Sequence, residues 1–97
     1  MLQLKGRVST PEASRYMQRL CYHFSKKIQV SYDEHQGHAQ FPWGTCRFTA
    51  ESESLGFDCE AASIEELARV KFAIDEHIKL FSRKSPLQVA WEPAIGS

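Results

Sequence analysis

The sequence has no long apolar run, no excess of charge and few cysteines. No stretch approaches the ~20 apolar residues of a membrane-spanning helix, and the N-terminus lacks a signal-peptide core, so we expect a cytoplasmic protein without membrane contact. Twelve Lys and Arg residues balance twelve Asp and Glu residues, which removes the electrostatic argument for binding nucleic acid. Three cysteines without C-x-x-C spacing argue against both a disulfide framework and a structural zinc site.

The composition is that of a soluble globular protein. Of the 97 residues, 42% are hydrophobic and 25% are charged, so an ordered chain with one hydrophobic core is expected. There is no internal repeat, low-complexity segment or linker. We therefore predict a single domain over residues 1–97, in which residues 93–97 form a frayed tail.

Apolar periodicity predicts six strands and two helices. Alternation with a period of two marks the strands, and spacings of three and four residues mark the helices. The predicted helical stripes are Ala13, Tyr16, Met17, Leu20 and Phe24 in the first helix, and Leu67, Val70, Ile74, Ile78 and Phe81 in the second. The order β-α-β-β-β-β-α-β predicts an α+β fold, a two-layer sandwich with a mostly antiparallel sheet and both helices on one face.

The fourth and fifth strands allow a prediction of register. A two-residue turn at Ser52 and Glu53 places Cys46 opposite Cys59, and two further apolar pairs fall in step with them. Those pairs are Phe48 with Phe57 and Ala50 with Leu55. A slip of one residue would lose the match, whereas a longer loop would shift the register by an even number.

Capping residues mark the predicted helix starts. Ser9 or Thr10 is expected at the N-cap of the first helix, followed by Pro11 in the first turn. Ser63 and Glu66 form a predicted capping box for the second helix.

Three blocks of residues resemble a known family. They are Thr10-Pro11, Ser14-Arg15-Tyr16, Leu20-Cys21 and His23-Phe24; then Phe41-Pro42, Gly44 and Cys46; then His77, Phe81, Leu87, Val89 and Trp91. In spacing and order this pattern resembles the small bacterial domain-of-unknown-function family 2218. Some members of that family are encoded beside, or fused to, flavin-dependent siderophore-interacting ferric reductases. The resemblance implies a link to iron or siderophore handling, and it implies no established catalytic residues.

Two histidines and one cysteine are candidate metal ligands. His23 and His77 flank the apolar stripes of the two helices, so their imidazoles converge if those flanks face each other. Neutral imidazole suits iron or zinc, and a thiolate, for which Cys46 is the candidate, would add affinity. The alternative is that both are boundary histidines with one hydrogen bond each.

The other cysteines and histidines have simpler interpretations. If Cys46 and Cys59 are cross-strand neighbours, they form a disulfide, a pair of thiolate ligands or two buried thiols, and a reducing cytosol favours buried thiols. His35 and His38 flank Gln36-Gly37, where a solvated turn is favoured over a metal site.

Two aromatic residues lie outside the predicted core. Phe72 points away from the stripe of the second helix, beside Ala68, and Trp43 lies in a Pro-Trp-Gly turn. Phe72 is therefore a candidate centre of a dimer or docking patch, and Trp43 a second candidate partner-binding residue.

We predict a non-enzymatic accessory or interaction protein linked to iron–siderophore metabolism. The resemblance makes a siderophore-interacting reductase a candidate partner, and self-association is the alternative. A small metal-binding domain that uses His23, His77 and a cysteine is a second hypothesis. An enzyme acting on a siderophore is a third, although no acid, base or nucleophile is nominated for it.

Overall fold

A single antiparallel sheet and two helices form the described part of the molecule. The computed structural model describes residues 1–83, 86–93 and 95–96. The elements are β1 Leu2–Ser9, α1 Ala13–Phe24, β2 Gln29–Tyr32, β3 Gln36–Phe41, β4 Gly44–Ala50, β5 Ser54–Ala61, α2 Ile64–Phe81, β6 Ala90–Trp91 and β7 Ile95–Gly96. The order from β1 to β6 is the predicted one, and the fold class is α+β.

The strands follow the order β2-β3-β4-β5-β1-β6, and β7 pairs with the start of β1. β1 therefore lies between β5 and the C-terminal strands. The segment 93–97, expected as a frayed tail, contains β7, in which Ile95 lies opposite Gln3. Residues 94 and 97 of that expected tail lie outside the described residues.

The predicted register of β4 and β5 is confirmed. Cys46 lies opposite Cys59, and the flanking pairs match in the same phase. The backbone N–H of Glu51 donates to the carbonyl of Ser54 at 2.8 Å, which closes the turn at Ser52 and Glu53. This register places every large apolar side chain of the two strands on one face.

Both helices cover that apolar face, as predicted. Alternate residues of the long strands are buried, and they pack against the stripes of α1 and α2. The largest fully buried side chains include Phe48, Met17, Leu20, Leu55, Ile74 and Ile78. The opposite face is polar and carries Lys5, Arg7, Ser31, Arg47, Thr49, Asp58 and Glu60.

The start of α1 differs from the prediction. Ser9 is still part of β1, and the N–H of Thr10 donates to the carbonyl of Glu53 at 3.0 Å. The chain leaves the sheet only after these bonds, so the helix begins at Ala13 with Glu12 at the N-cap and no side-chain cap. The Thr10 hydroxyl instead accepts from the N–H of Glu12 at 3.1 Å.

The last strand, which the alternation of Leu87, Val89 and Trp91 predicts over residues 87–92, is shorter than expected. The N–H of Leu87 donates to the Ser82 hydroxyl at 3.0 Å, which holds this segment against the end of α2. Within residues 87–92, only Ala90 and Trp91 pair with β1. The Trp91 indole packs over Gly6, where a Cβ would lie 2.5 Å from the ring.

Ser63 is the N-cap of α2 as predicted, but the Glu66 carboxylate accepts from the Ser63 hydroxyl rather than from the Ser63 backbone N–H of a full capping box. The Ser63 hydroxyl accepts from the N–H of Glu66 at 3.2 Å and contacts the Glu66 carboxylate at 3.2 Å. Toward the other end of the helix, Asp75 accepts a 2.8 Å hydrogen bond from the Trp91 indole N–H. These contacts hold α2 on the sheet and determine which of its faces is exposed to solvent.

Candidate functional site

The outer face of α2 carries an exposed row of apolar side chains. Phe72 is 64% exposed, Ile64 is 59% exposed and Leu80 is 45% exposed, and Ala68 is also exposed. Ile64, Ala68 and Phe72 follow at intervals of four residues, so they share one side of the helix. We call the surface formed by Ile64, Ala68, Phe72 and Leu80 the α2 outer face.

This face arises because α2 is apolar on two sides. Val70, Ile74 and Ile78 are buried on the sheet, while Phe72 lies roughly opposite them. The sequence identified Phe72 and Ala68 but missed Ile64 and Leu80. The four-residue spacing from Ile64 through Ala68 to Phe72 was the available signal.

Trp43 lies in the β3–β4 turn, as predicted, but its side chain is half-buried and packs against the core rather than lying outside it. Its ring stacks on Phe41 with centroids 5.8 Å apart and an interplanar angle of 15°. The Arg69 guanidinium carbon lies 5.8 Å from the centroid of the Trp43 ring. Trp43 therefore adjoins α2 through Arg69, whereas Phe72 is open to solvent.

His23 of α1 and His77 of α2 lie side by side. Their ring centroids are 4.6 Å apart, with an interplanar angle of 52°. Phe24 packs edge-on against His77 at 4.8 Å, and Phe81 lies 5.8 Å from His23. The two imidazoles thus sit in an aromatic surround where the two helices meet.

The surroundings of His23 favour its neutral imidazole. Burial lowers the pKa of His23, and repulsion from His77, Lys26 and Lys27 lowers it further. The Nδ1 atom of His77 lies 2.6 Å from the carbonyl oxygen of Ala73. Because a carbonyl only accepts, Nδ1 carries the proton, and in the neutral ring the lone pair is then on Nε2. A histidine fixed in this way resembles those that bind metals through the other ring nitrogen.

Cys46 lies with the other cysteines in the core. Its sulfur is 3.4 Å from that of Cys59, and all three cysteines are free thiols. Burial raises the pKa of Cys46 well above its usual value, and the hydrogen bond with Cys59 adds to the rise. Burial also raises the pKa of Cys21 to about 12. Neutral, enclosed thiols are poor nucleophiles and poor ligands until they are deprotonated.

The remaining histidines are not part of this pair. His35 lies in the β2–β3 turn, where its N–H donates to the Asp33 carboxylate at 2.7 Å. His38 lies within β3, opposite Arg47 on the polar face, rather than in the turn. Over residues 1–83, 86–93 and 95–96, no three His, Cys, Asp or Glu side chains form a group placed to hold a metal ion. His23 and His77 therefore stand as a pair.

The fold and these surfaces define a small two-layer α+β domain with a polar sheet face and an apolar outer helix. The sequence profile of a family described as uncharacterized proteins conserved in bacteria, DUF2218, matches residues 5–92. The chain therefore belongs to this family, as the residue blocks predicted.

A solved structure has the same fold. The chain is similar to the NMR structure of PA4090 from Pseudomonas aeruginosa, with a TM-score of 0.84 and 25% sequence identity. The match covers 99% of this chain and 100% of that one. The search of curated proteins finds no match. In the part of the chain that is described, no helix has the length and apolar character needed to cross a membrane.

Proposed function

We propose that the protein is a non-enzymatic accessory domain that acts by binding other protein chains in iron–siderophore metabolism, and that the α2 outer face is its contact surface. The observation that carries the proposal is the exposure of Phe72 at 64% within a row of exposed apolar neighbours. Aromatic side chains in such positions commonly supply much of the binding energy of protein interfaces. The family resemblance supports the link to siderophore-interacting ferric reductases.

The buried thiols argue against catalysis by a cysteine nucleophile. Of the side-chain types that act as nucleophiles, cysteine is the most reactive when ionised, but here burial raises the pKa of both Cys21 and Cys46. The outer face of α2, in contrast, is accessible without any rearrangement of the fold.

Replacing Phe72 with aspartate tests this function. Phe72→Asp puts a charge at the centre of the contact surface, so its affinity for a siderophore-interacting ferric reductase should fall at least thirtyfold, the effect of losing about 2 kcal/mol at an interface hot spot. Calorimetric titration of the reductase with each purified chain measures the change. Because Phe72 makes no core contact, circular dichroism should show an intact fold.

The matched control is Tyr22→Asp. Tyr22 is an exposed aromatic residue, 59% exposed, that belongs to α1 rather than to α2. The Tyr22→Asp variant should bind the reductase with unchanged affinity. Equal binding by Phe72→Asp and the unmodified chain, or no binding of any reductase by either, would refute the proposed function.

A metal-binding domain is the second candidate function. It is favoured by the 4.6 Å separation of the His23 and His77 rings and by the contact that holds the proton on Nδ1 of His77. The two Nε2 atoms would be the ligands; among the described residues no third His, Cys, Asp or Glu side chain joins them, so Cys46 is left out of this site. Imidazole nitrogen suits zinc and iron, the metals expected from the sequence.

Elemental analysis of the tag-free protein, purified under reducing conditions, tests the metal candidate. We expect about one equivalent of zinc or iron if His23 and His77 bind metal, and loss of that metal in His77→Ala. His35→Ala, which removes a histidine from the exposed β2–β3 turn, is the control. Equal trace metal in all three proteins would make the histidine pair purely structural.

A further inference from the structure

On the exposed side of α2, charged residues of opposite sign lie before and after Phe72. Glu65 precedes Phe72 by seven residues and Lys79 follows it by seven. Seven residues are close to two helical turns, so the three side chains lie nearly on one line along the helix. Glu65 and Lys79 are both exposed. The line therefore has an acidic end, an aromatic centre and a basic end.

A second opposite pair lies beside this line. Arg69 and Glu76 are also seven residues apart, and both fall on the same flank of Phe72. Both are exposed, and the Arg69 side chain lies along the Trp43 ring. The two salt bridges described for the chain lie elsewhere, between Arg15 and Glu12 and between Lys71 and Asp75. Neither of these salt bridges involves Glu65, Arg69, Glu76 or Lys79.

When two copies of α2 are placed antiparallel, the charges of one helix lie opposite unlike charges of the other. In an antiparallel pair of α2 helices with a twofold axis beside Phe72, the two Phe72 rings meet and Glu65 of each copy faces Lys79 of the other. Arg69 of each copy likewise faces Glu76 of the other. A parallel pair would oppose Glu65 to Glu65 and Lys79 to Lys79, which is repulsive.

We propose that the α2 outer face binds a second copy of the same chain, as an antiparallel twofold pair of α2 helices centred on Phe72. The inference rests on one part of the proposed function, the use of the α2 outer face as a contact surface, and it names a second copy of the chain as an occupant of that face. A twofold pair uses one patch on both copies, which the pattern satisfies. One helix from each copy covers less than the ~800 Å² per partner of a standard interface, so the dimer should depend on concentration.

Charge exchange between Glu65 and Lys79 tests the pairing. Glu65→Lys alone and Lys79→Glu alone each place like charges opposite one another, so each variant should dimerise roughly tenfold or more weakly than the unmodified chain. An equimolar mixture of the two variants restores opposite charges and should form heterodimers. The double variant E65K/K79E should dimerise like the unmodified chain. Sedimentation velocity over a concentration series at low salt measures all four.

The control is Glu53→Lys, which makes the same charge change in the β4–β5 turn and should leave dimerisation unaltered. A monomeric unmodified chain at all concentrations, a dimer insensitive to Glu65→Lys, or a mixture that stays monomeric would each overturn the second copy as the occupant.

Binding to the reductase separates this inference from the proposed function. A chain that remains monomeric yet binds the reductase through Phe72 would overturn the dimer and keep the proposed function. A charge-exchange dimer in a chain that binds no reductase would keep the dimer and refute the proposed function.

Discussion

At the scale of single residues, Gly44 and Gly56 occupy neighbouring strands but different surroundings. A Cβ at Gly44 would lie 2.3 Å from the backbone carbonyl oxygen of Glu60, whereas the nearest atom to a Cβ at Gly56 is the Thr49 carbonyl oxygen at 3.8 Å. The first contact requires the backbone of β5 to move, and the second is ordinary van der Waals contact. The packing around Gly44 therefore leaves no room for a side chain, whereas the packing around Gly56 does.

Alanine substitution should separate these two glycines. Gly44→Ala should lower the free energy of unfolding by about 1–3 kcal/mol, the usual cost of overpacking. Gly56→Ala should leave it unchanged or raise it by up to ~1 kcal/mol, because alanine reduces the conformational freedom of the unfolded chain. Urea unfolding followed by circular dichroism measures both. Similar losses in the two variants would show that the strand backbone, rather than the close approach to Glu60, sets the cost.

At the scale of elements, the parts that could be predicted are those set by near neighbours in the sequence. The register of β4 and β5 followed from alternating apolar residues around a two-residue turn, and the start of α2 followed from Ser63 and Glu66. Each depends on residues a few positions apart, so a periodic pattern is sufficient to predict it.

Elements that depend on distant residues could not be predicted in this way. α1 begins at Ala13 rather than after Thr10, and the chain before it is bonded through Thr10 to Glu53 in the β4–β5 turn. The segment before β6 follows the end of α2 because Leu87 is bonded to Ser82. In both places a tertiary hydrogen bond overrides the local pattern.

In the candidate site, too, some features follow from the local sequence and others depend on tertiary packing. The wheel positions of His23 and His77 suggested that they face each other, but their 4.6 Å separation depends on how α1 and α2 cross the sheet. The exposure of Phe72 was predictable from its angle to the buried stripe. The exposure of Leu80 depends on how the last turns of α2 lie on the sheet, which the helix alone does not specify.

At the scale of the whole molecule, the three cysteines join the two layers of the fold. Cys21 belongs to α1. A Cβ added at Gly37 would lie only 2.7 Å from the Cys21 sulfur, so the helix packs closely on β3. Cys46 and Cys59 lie beneath the helices at the centre of the sheet. All three are fully buried. Their exposure to solvent therefore reports separation of the helical layer from the sheet.

Thiol labelling should show that the two layers separate together. Alkylating reagents react with exposed thiolates, and burial both encloses the sulfurs and raises the pKa of Cys21 to about 12, so the folded chain should be labelled only through opening. If residues 1–97 form one cooperative domain, all three cysteines should be labelled at one common rate, which rises with urea as global unfolding does. Mass spectrometry of peptides after timed iodoacetamide treatment measures each rate. Faster labelling of Cys21 than of Cys46 and Cys59 would instead mean that α1 leaves the sheet before the sheet opens, because only Cys21 belongs to the helical layer.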